Sequence, residues 1–318
     1  MGIGTANGLV TGGGALTTRH GAWTFGIGGA REVRDLGDRQ VISRVINSLS
    51  AQELGKDFGD YYLMNAASVT LTRTLGAQGS ARLESGFEHV DPMVAEATWA
   101  RGAYLRPNPN VDHGSWAVSR LTLARRSSSF STAGEFTFKL EVEGGFSVRN
   151  DSNVNGAGQP LGDYARSYGE LRWQAPLGAT SVLLRAAGGY GTSQLPRHRA
   201  FVIGGRGSLL GEPFHGFAGS RMAWGALEWR VPVGIPEIKL GSFAGTGRSL
   251  TLAPNVSVGW VDGALPGMFV GPTGDPVVSA GLGASVFHDL LRFDVGYGFR
   301  SRQVGFAVDV SRAFWDIL

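Results

Sequence analysis

The chain has 318 residues, and its 29 basic and 26 acidic side chains leave a net charge of only +3. That small excess, with no basic run able to track phosphates, speaks against a nucleic-acid partner, and the absence of cysteine excludes a disulfide scaffold and any thiolate metal site. Fifty glycines with only 17% charged residues are unusual for a soluble enzyme, and no run of 18 apolar residues offers a transmembrane helix, so a membrane-spanning fold here has to be a closed barrel.

In chain order, Met1 to Gly4 lacks the charged start and apolar core of a signal peptide, so an exported protein is expected here as a mature form or as the C-terminal piece of a longer one. Glycine-rich strands are expected around Leu9 to Leu16 and Ala22 to Gly29, turning at Arg19-His20-Gly21. Asp38 to Gly55 carries the helical signal, with Val41, Ile42, Val45, Ile46 and Leu49 on one face, Asp38 as N-cap and Gly55 as stop. From Tyr61 onward apolar and polar residues alternate with period two, as in Phe136, Phe138, Leu140 and Val142 against Thr137, Lys139, Glu141 and Glu143. This predicts strands near 61–74, 79–90, 93–106, 115–127, 133–148, 164–176, 180–193, 220–233, 249–263, 277–287, 290–300 and 303–314, twelve in all and fourteen with the N-terminal pair.

The breaks near 91–92, 128–132, 177–179 and 288–289 are short, and those at 149–163, 194–219 and 264–276 are long. Bacterial outer-membrane barrels keep short turns on the periplasmic side, so both termini and the helix-bearing connection 31–60 are expected to be periplasmic. The stripes Leu291, Phe293, Val295, Tyr297, Phe299 and Val304, Phe306, Val308, Val310, Phe314 are the expected lipid-facing sides of the last strands. Lys139, Glu141, Glu143, Glu228, Arg230, Arg292 and Asp294 then face inward as a polar lining.

Candidate chemistry is sparse. His20, His89, His113, His198, His215 and His288 are scattered, with no two at metal-ligand spacing. There is no Gly-x-Ser-x-Gly elbow or phosphate loop, and Gly204-Gly205-Arg206-Gly207 misses dinucleotide spacing. No catalytic residue, metal or cofactor is expected. Trp99, Trp116, Trp173, Trp224, Trp229, Trp260 and Trp315 fit interface belts, Trp224 alternatively packing against the long loop.

Phe201 to Ser220 holds six glycines and three phenylalanines without a regular period, which predicts a long structured loop rather than a strand. Its Gly204-Gly205 pair, Ser208-Leu209-Leu210-Gly211 and Phe214-His215-Gly216, followed by Leu227-Glu228-Trp229-Arg230-Val231-Pro232, resemble the signature-loop region of the bacterial surface antigen barrels. These are the BamA-like assembly proteins and their two-partner secretion relatives. The resemblance runs from about Phe201 to Phe314. It implies a single transmembrane antiparallel β-barrel domain over 1–318, of sixteen strands where the residues themselves give twelve to fourteen, with the 195–219 loop folded into the lumen. The barrel is expected to be closed; an open seam between its first and last strands would still fit, because lateral opening is part of the mechanism the resemblance implies. In the family an arginine stands where this chain has Leu210-Gly211-Glu212, and that arginine pairs with an acidic residue of the inner wall. Here Arg206 is the nearest cation, with Glu228 or Asp262 as candidate partners; Asp262 reaches the lumen only if a bulge near Gly259 shifts the register. Otherwise Arg206 is solvated and the loop is held by its aromatics.

The resemblance further implies insertion or translocation of polypeptides, with the lipid bilayer, the outer-membrane assembly machinery and a polypeptide substrate as partners. Phe306, Val308, Val310 and Phe314 resemble a terminal-strand assembly signal. A passive outer-membrane pore or an anchor for an upstream domain is the alternative within the same architecture. A soluble β-rich binding protein is the third reading, opposed by the absence of a 40- to 50-residue repeat.

Overall fold

The computed structural model describes residues 2–3, 9–39, 41–93, 108–126, 134–148, 161–237, 239–240, 244–245, 247–287 and 289–310. Its elements in chain order are β1 (Gly2–Ile3), β2 (Val10–His20), β3 (Trp23–Asp35), α1 (Arg44–Leu54), β4 (Tyr61–Leu75), β5 (Gly79–Pro92), β6 (Gly114–Arg126), β7 (Glu135–Ser147), β8 (Tyr164–Leu177), β9 (Thr180–Gly191), β10 (Phe201–Ile203), β11 (Phe217–Gly219), β12 (Arg221–Gly234), β13 (Lys239–Leu240), β14 (Ala244–Gly245), β15 (Ser249–Asp262), β16 (Val277–Val286), β17 (Leu291–Gly298) and β18 (Gln303–Val310). Fourteen of these strands form one antiparallel sheet in the order β1 to β9, β12, β15, β16, β17, β18, while β10/β11 and β13/β14 are small separate hairpins.

The period-two sequences become strands because alternation gives each strand one face to bury and one to expose. On β7, Phe138, Val142 and Phe146 are exposed while Glu143 is buried, and on β12 Leu227 and Trp229 are exposed while Trp224, Ala226 and Glu228 are buried. The exposed face is apolar over most of the sheet, reaching 65% exposure at Phe87 and 74% at Phe306. On the other face a core forms around Leu36, Tyr62, Trp116, Tyr168, Phe201, Ile203, Leu209, Trp224 and Val261. Trp116 belongs to this core and not to an interfacial belt; Trp173 and Trp229 are on the exposed side.

The predicted N-terminal pair forms and is longer than expected, turning at Gly21–Ala22, where Gly21 takes the left-handed conformation (φ 59°) that a two-residue hairpin demands. The predicted strand 93–106 falls almost wholly outside the described residues. Since β5 pairs directly with β6, no strand lies between them in the sheet. Among the described residues the sheet has fourteen strands, equal to the residue-based upper figure, with β1 counted and the predicted strand 93–106 outside the description.

Two further expectations are corrected. The helix begins at Arg44, capped by the Ser43 hydroxyl accepting from the Ile46 amide (3.3 Å), and ends on Gly55 with φ 62°. Asp38 is no N-cap because it lies five residues ahead of the capping Ser43; its carboxylate pairs with the Arg166 guanidinium instead. Leu49 is exposed, whereas Ile42, ahead of the helix, is buried. The helix-bearing connection also lies at the other end of the sheet. Strand alternation puts connections 36–60, 93–113, 148–163, 192–220 and 263–276 together at one end, and the turns 21–22, 76–78 and 178–179 at the opposite end. The expectation that a short break at 91–92 joins two strands shifted the parity and placed the helix with the short turns. Phe314, Trp315, Trp99 and His288 lie outside the described residues.

Candidate functional site

The candidate site is the interface between the 192–220 connection and the buried face of the sheet. It starts at Arg197–Arg199, a single 3-10 turn whose three residues are all buried. Arg197 donates through its backbone N (2.7 Å) and Nε (2.7 Å) to the two oxygens of Asp112, and through Nη1 to the Gly267 carbonyl (2.9 Å). Arg199 donates through Nε to Glu143 (2.7 Å) and pairs through Nη2 with Glu88. Glu143, only 1% exposed, also accepts from Arg120 Nε (2.6 Å) and the Tyr164 hydroxyl (2.7 Å). Arg166 closes the network, donating to the Arg199 carbonyl (3.1 Å) and pairing with Asp38. A carboxylate this deeply buried is tolerable only when its lone pairs are matched by cations and hydroxyls, and Glu143 has both.

Between those arginines sits His198, in contact with the rings of Tyr62 and Trp116. Neither of its ring nitrogens has a hydrogen-bond partner among the described residues. Burial, reinforced by the adjacent Arg199 charge, holds its pKa well below the usual histidine value. The ring is therefore neutral at physiological pH.

The chain then enters the short β10/β11 hairpin, which closes the glycine-rich tip at its base. At Gly204 (φ 119°) a Cβ would stand 2.3 Å from the Pro213 carbonyl, and at Gly211 (φ 101°) it would meet the Gly298 backbone N at 2.2 Å. These two glycines allow the tip to fold on itself and to lie directly on β17. Leu210 packs over Gly296, its carbonyl accepts from Ser279, and Glu212 accepts from the backbone amides of Arg300 (3.0 Å) and Ser301 (3.2 Å). Leu210-Gly211-Glu212 thus engages the wall by packing and backbone capture rather than by a cation. Gly205 and Gly207 both have positive φ, and Gly207 lies against Val41.

Arg206 is 7% exposed. Its Nη2 reaches Asp309 Oδ2 (2.7 Å) and the Val308 carbonyl (2.6 Å), and its Nε the Val41 carbonyl (3.2 Å). Neither carboxylate named from the sequence is its partner. Glu228 is taken by Arg292 through two bonds of 2.9 Å and by Arg230 (2.7 Å). Asp262 stands on the exposed face opposite Arg221, 3.5 Å from its Nη1. The β12/β15 register runs without a shift through Trp224↔Gly259, so there is no bulge to turn Asp262 inward. Trp224 meets the tip, donating from Nε1 to the Ser208 carbonyl (3.1 Å), with Arg39 stacked over its ring at 4.0 Å. Phe306 and Val308 lie on the exposed face of β18, while Val310 ends the strand, half-buried.

Sequence reading missed Arg197 and Arg199 as loop cations. The available signal was two arginines flanking a histidine inside an otherwise apolar, glycine-rich loop, together with inward carboxylates at Glu88 and Glu143. It also missed that His89 and His113 meet: spacing along the chain does not register a pair brought together across two strands.

The fold is an all-β antiparallel sheet with one apolar exposed face and a long connection pinned to the other. Among solved structures, the chain resembles the crystal structure of BamA from Haemophilus ducreyi lacking POTRA domains 1–3, with a TM-score of 0.58, 15% identity and coverage of 93% of this chain and 60% of that one. CdiB from Acinetobacter baumannii (TM-score 0.49, 14% identity, 93% of this chain and 49% of that one) and CdiB from Escherichia coli (0.49, 11%, 93% and 51%) also align. At these identities the likeness to BamA is one of fold, and this chain spans 60% of that structure's length. No protein-family model matches the chain, and no curated protein matches it.

Proposed function

We propose that the chain is an outer-membrane β-barrel that takes part in the insertion or translocation of polypeptides, with the 192–220 connection folded into its lumen. The observation that carries the reading is how far apart the loop's anchors lie on the sheet. Arg199 binds Glu88 on β5 and Arg206 binds Asp309 on β18. Those strands are nine places apart in the sheet order, or about 43 Å if the sheet were flat at roughly 4.8 Å per strand. Seven residues of chain span at most about 25 Å. That limit holds only for a fully extended segment, whereas Gly204 and Gly205 turn this one through positive φ; a wall curled around the loop shortens the distance the two contacts must bridge, which supports closure. The apolar outer face supports immersion in lipid, as do the buried charges on the opposite face. The long connections, including α1, then face outward, and Val310 ends β18 on the periplasmic side.

The test is reconstitution of the purified chain in liposomes and planar bilayers. A lumen filled by the loop and its ion pairs gives low conductance, and polypeptide handling gives faster membrane insertion of an added unfolded β-barrel protein than empty liposomes do. A large, steady conductance without such acceleration refutes the transport reading and makes the chain a passive pore.

A further inference from the structure

On the exposed face of the sheet, at the end that carries the long connections, His89, Asp91 and His113 converge. His89 and Asp91 are two residues apart on β5 and share the face of the exposed Phe87. The β5/β6 register pairs His89 with Ser115 and Val90 with Gly114, which carries His113 to the position opposite Asp91. His113 Nδ1 lies 2.8 Å and His89 Nε2 3.3 Å from the same oxygen, Asp91 Oδ1, and the three ligand atoms all fall within 4.8 Å of one another. The two imidazoles meet edge to face at 5.1 Å.

We propose that His89, Asp91 and His113 form a binding site for a divalent transition-metal ion of the zinc class. Zn2+ takes imidazole nitrogen and carboxylate oxygen at about 2.0–2.1 Å, so the edges of its tetrahedron are roughly 3.4 Å. The His89–Asp91 edge, 3.3 Å, is already at that length, and the His113–Asp91 edge, 2.8 Å, is a hydrogen-bond distance that an ion between the two groups would open by about 0.6 Å. Three protein donors leave one tetrahedral position open. Two nitrogens and one oxygen suit Zn2+, Ni2+ or Cu2+ better than Mg2+ or Ca2+, which favour all-oxygen shells. His89 also has the outer support typical of metal-bound histidine: its Nδ1 is 2.8 Å from Ser115 Oγ, which fixes the ring and leaves Nε2 directed at the shared carboxylate. All three side chains are partly exposed and stand at the ends of β5 and β6, beyond the apolar band, so an ion can enter from the water at that end. A bound ion would clip β5 to β6 where the 93–113 connection leaves the sheet.

The test is titration of the purified, folded chain with Zn2+ against a chromophoric chelator, alongside thermal unfolding with and without Zn2+. Wild type should bind one equivalent saturably, and its unfolding midpoint should rise with Zn2+ concentration, because an ion that binds only the folded state stabilises it. The double variant His89→Ala/His113→Ala should lose the equivalent and the shift. Ser115→Ala, which keeps all three ligands, should weaken binding about 10- to 100-fold. His113→Asn serves as the milder ligand removal if the double variant does not fold. No saturable binding by wild type, or equal binding by wild type and the ligand variants, overturns the proposal; the cluster is then a hydrogen-bonded surface triad.

Discussion

Arg199→Met isolates the contribution of the loop's buried cation, because the methionine keeps most of the aliphatic stem. The substitution removes the charge facing Glu143 and Glu88. Around them the wild-type network sets three guanidinium groups (Arg120, Arg166, Arg199) against four carboxylates (Glu88, Glu141, Glu143, Asp38). The variant leaves two guanidinium groups, with the Lys139 ammonium on Glu141 (3.2 Å), against the same four. Breaking a buried pair by removing one partner costs about 3–5 kcal/mol. Glu143 retains Arg120 and Tyr164, so the lower end, about 3 kcal/mol, is the expected loss. Denaturant unfolding in detergent micelles measures that loss, and limited proteolysis reports whether residues 192–220 become cleavable. A loss below about 1 kcal/mol, with the loop equally protected, would refute the reasoning: the pairs would then behave as solvated surface ion pairs.

Val295→Arg or Phe306→Arg, both on the exposed apolar face, should cost about 2–4 kcal/mol in a bilayer, whereas Asp294→Asn on the opposite face should cost much less; equal sensitivity in lipid unfolding rejects the assignment of sides. Gly211→Val should detach the loop tip from β17, since even a Cβ meets the Gly298 backbone at 2.2 Å, and unchanged protease protection of the tip would count against that packing. Cysteines placed at Ser208 and Ala226, in a chain that has none of its own, should form a cross-link, because Trp224 beside Ala226 already bonds the Ser208 carbonyl; failure to link, with ready cleavage of the loop in intact cells, removes the lumenal placement. His198 gives a pH dependence. Its pKa is depressed in the folded protein and rises to about 6.5 on unfolding, so the unfolded state binds the extra proton and stability falls as pH drops below about 6.5, by up to about 1.4 kcal/mol per pH unit. His198→Phe should flatten the slope between pH 6.5 and 5, and an unchanged slope would mean the ring is not buried as described.

What the sequence determined by itself is what depends on parity. Whether Val295 or Asp294 faces the apolar side follows from alternation within one strand, so the sidedness of Glu143, Glu228 and Phe306 was readable without any knowledge of neighbours. The all-β class, the meander and the loop at 195–219 were readable for the same local reason. The misplaced helix shows the limit of that logic, since one false short break at 91–92 reverses the end of every earlier connection. Partnership was decided only in three dimensions. Arg199 and Glu88 are 111 residues apart, and Arg206 and Asp309 are separated by most of the C-terminal third of the chain. What brings them together is the strand order of the sheet and the path of the 192–220 connection over its buried face, which depend on all the strands at once. His113 comes to stand opposite Asp91 because the β5/β6 register is fixed by pairing along the whole strand, and the spacing of histidines along the chain carries no trace of that.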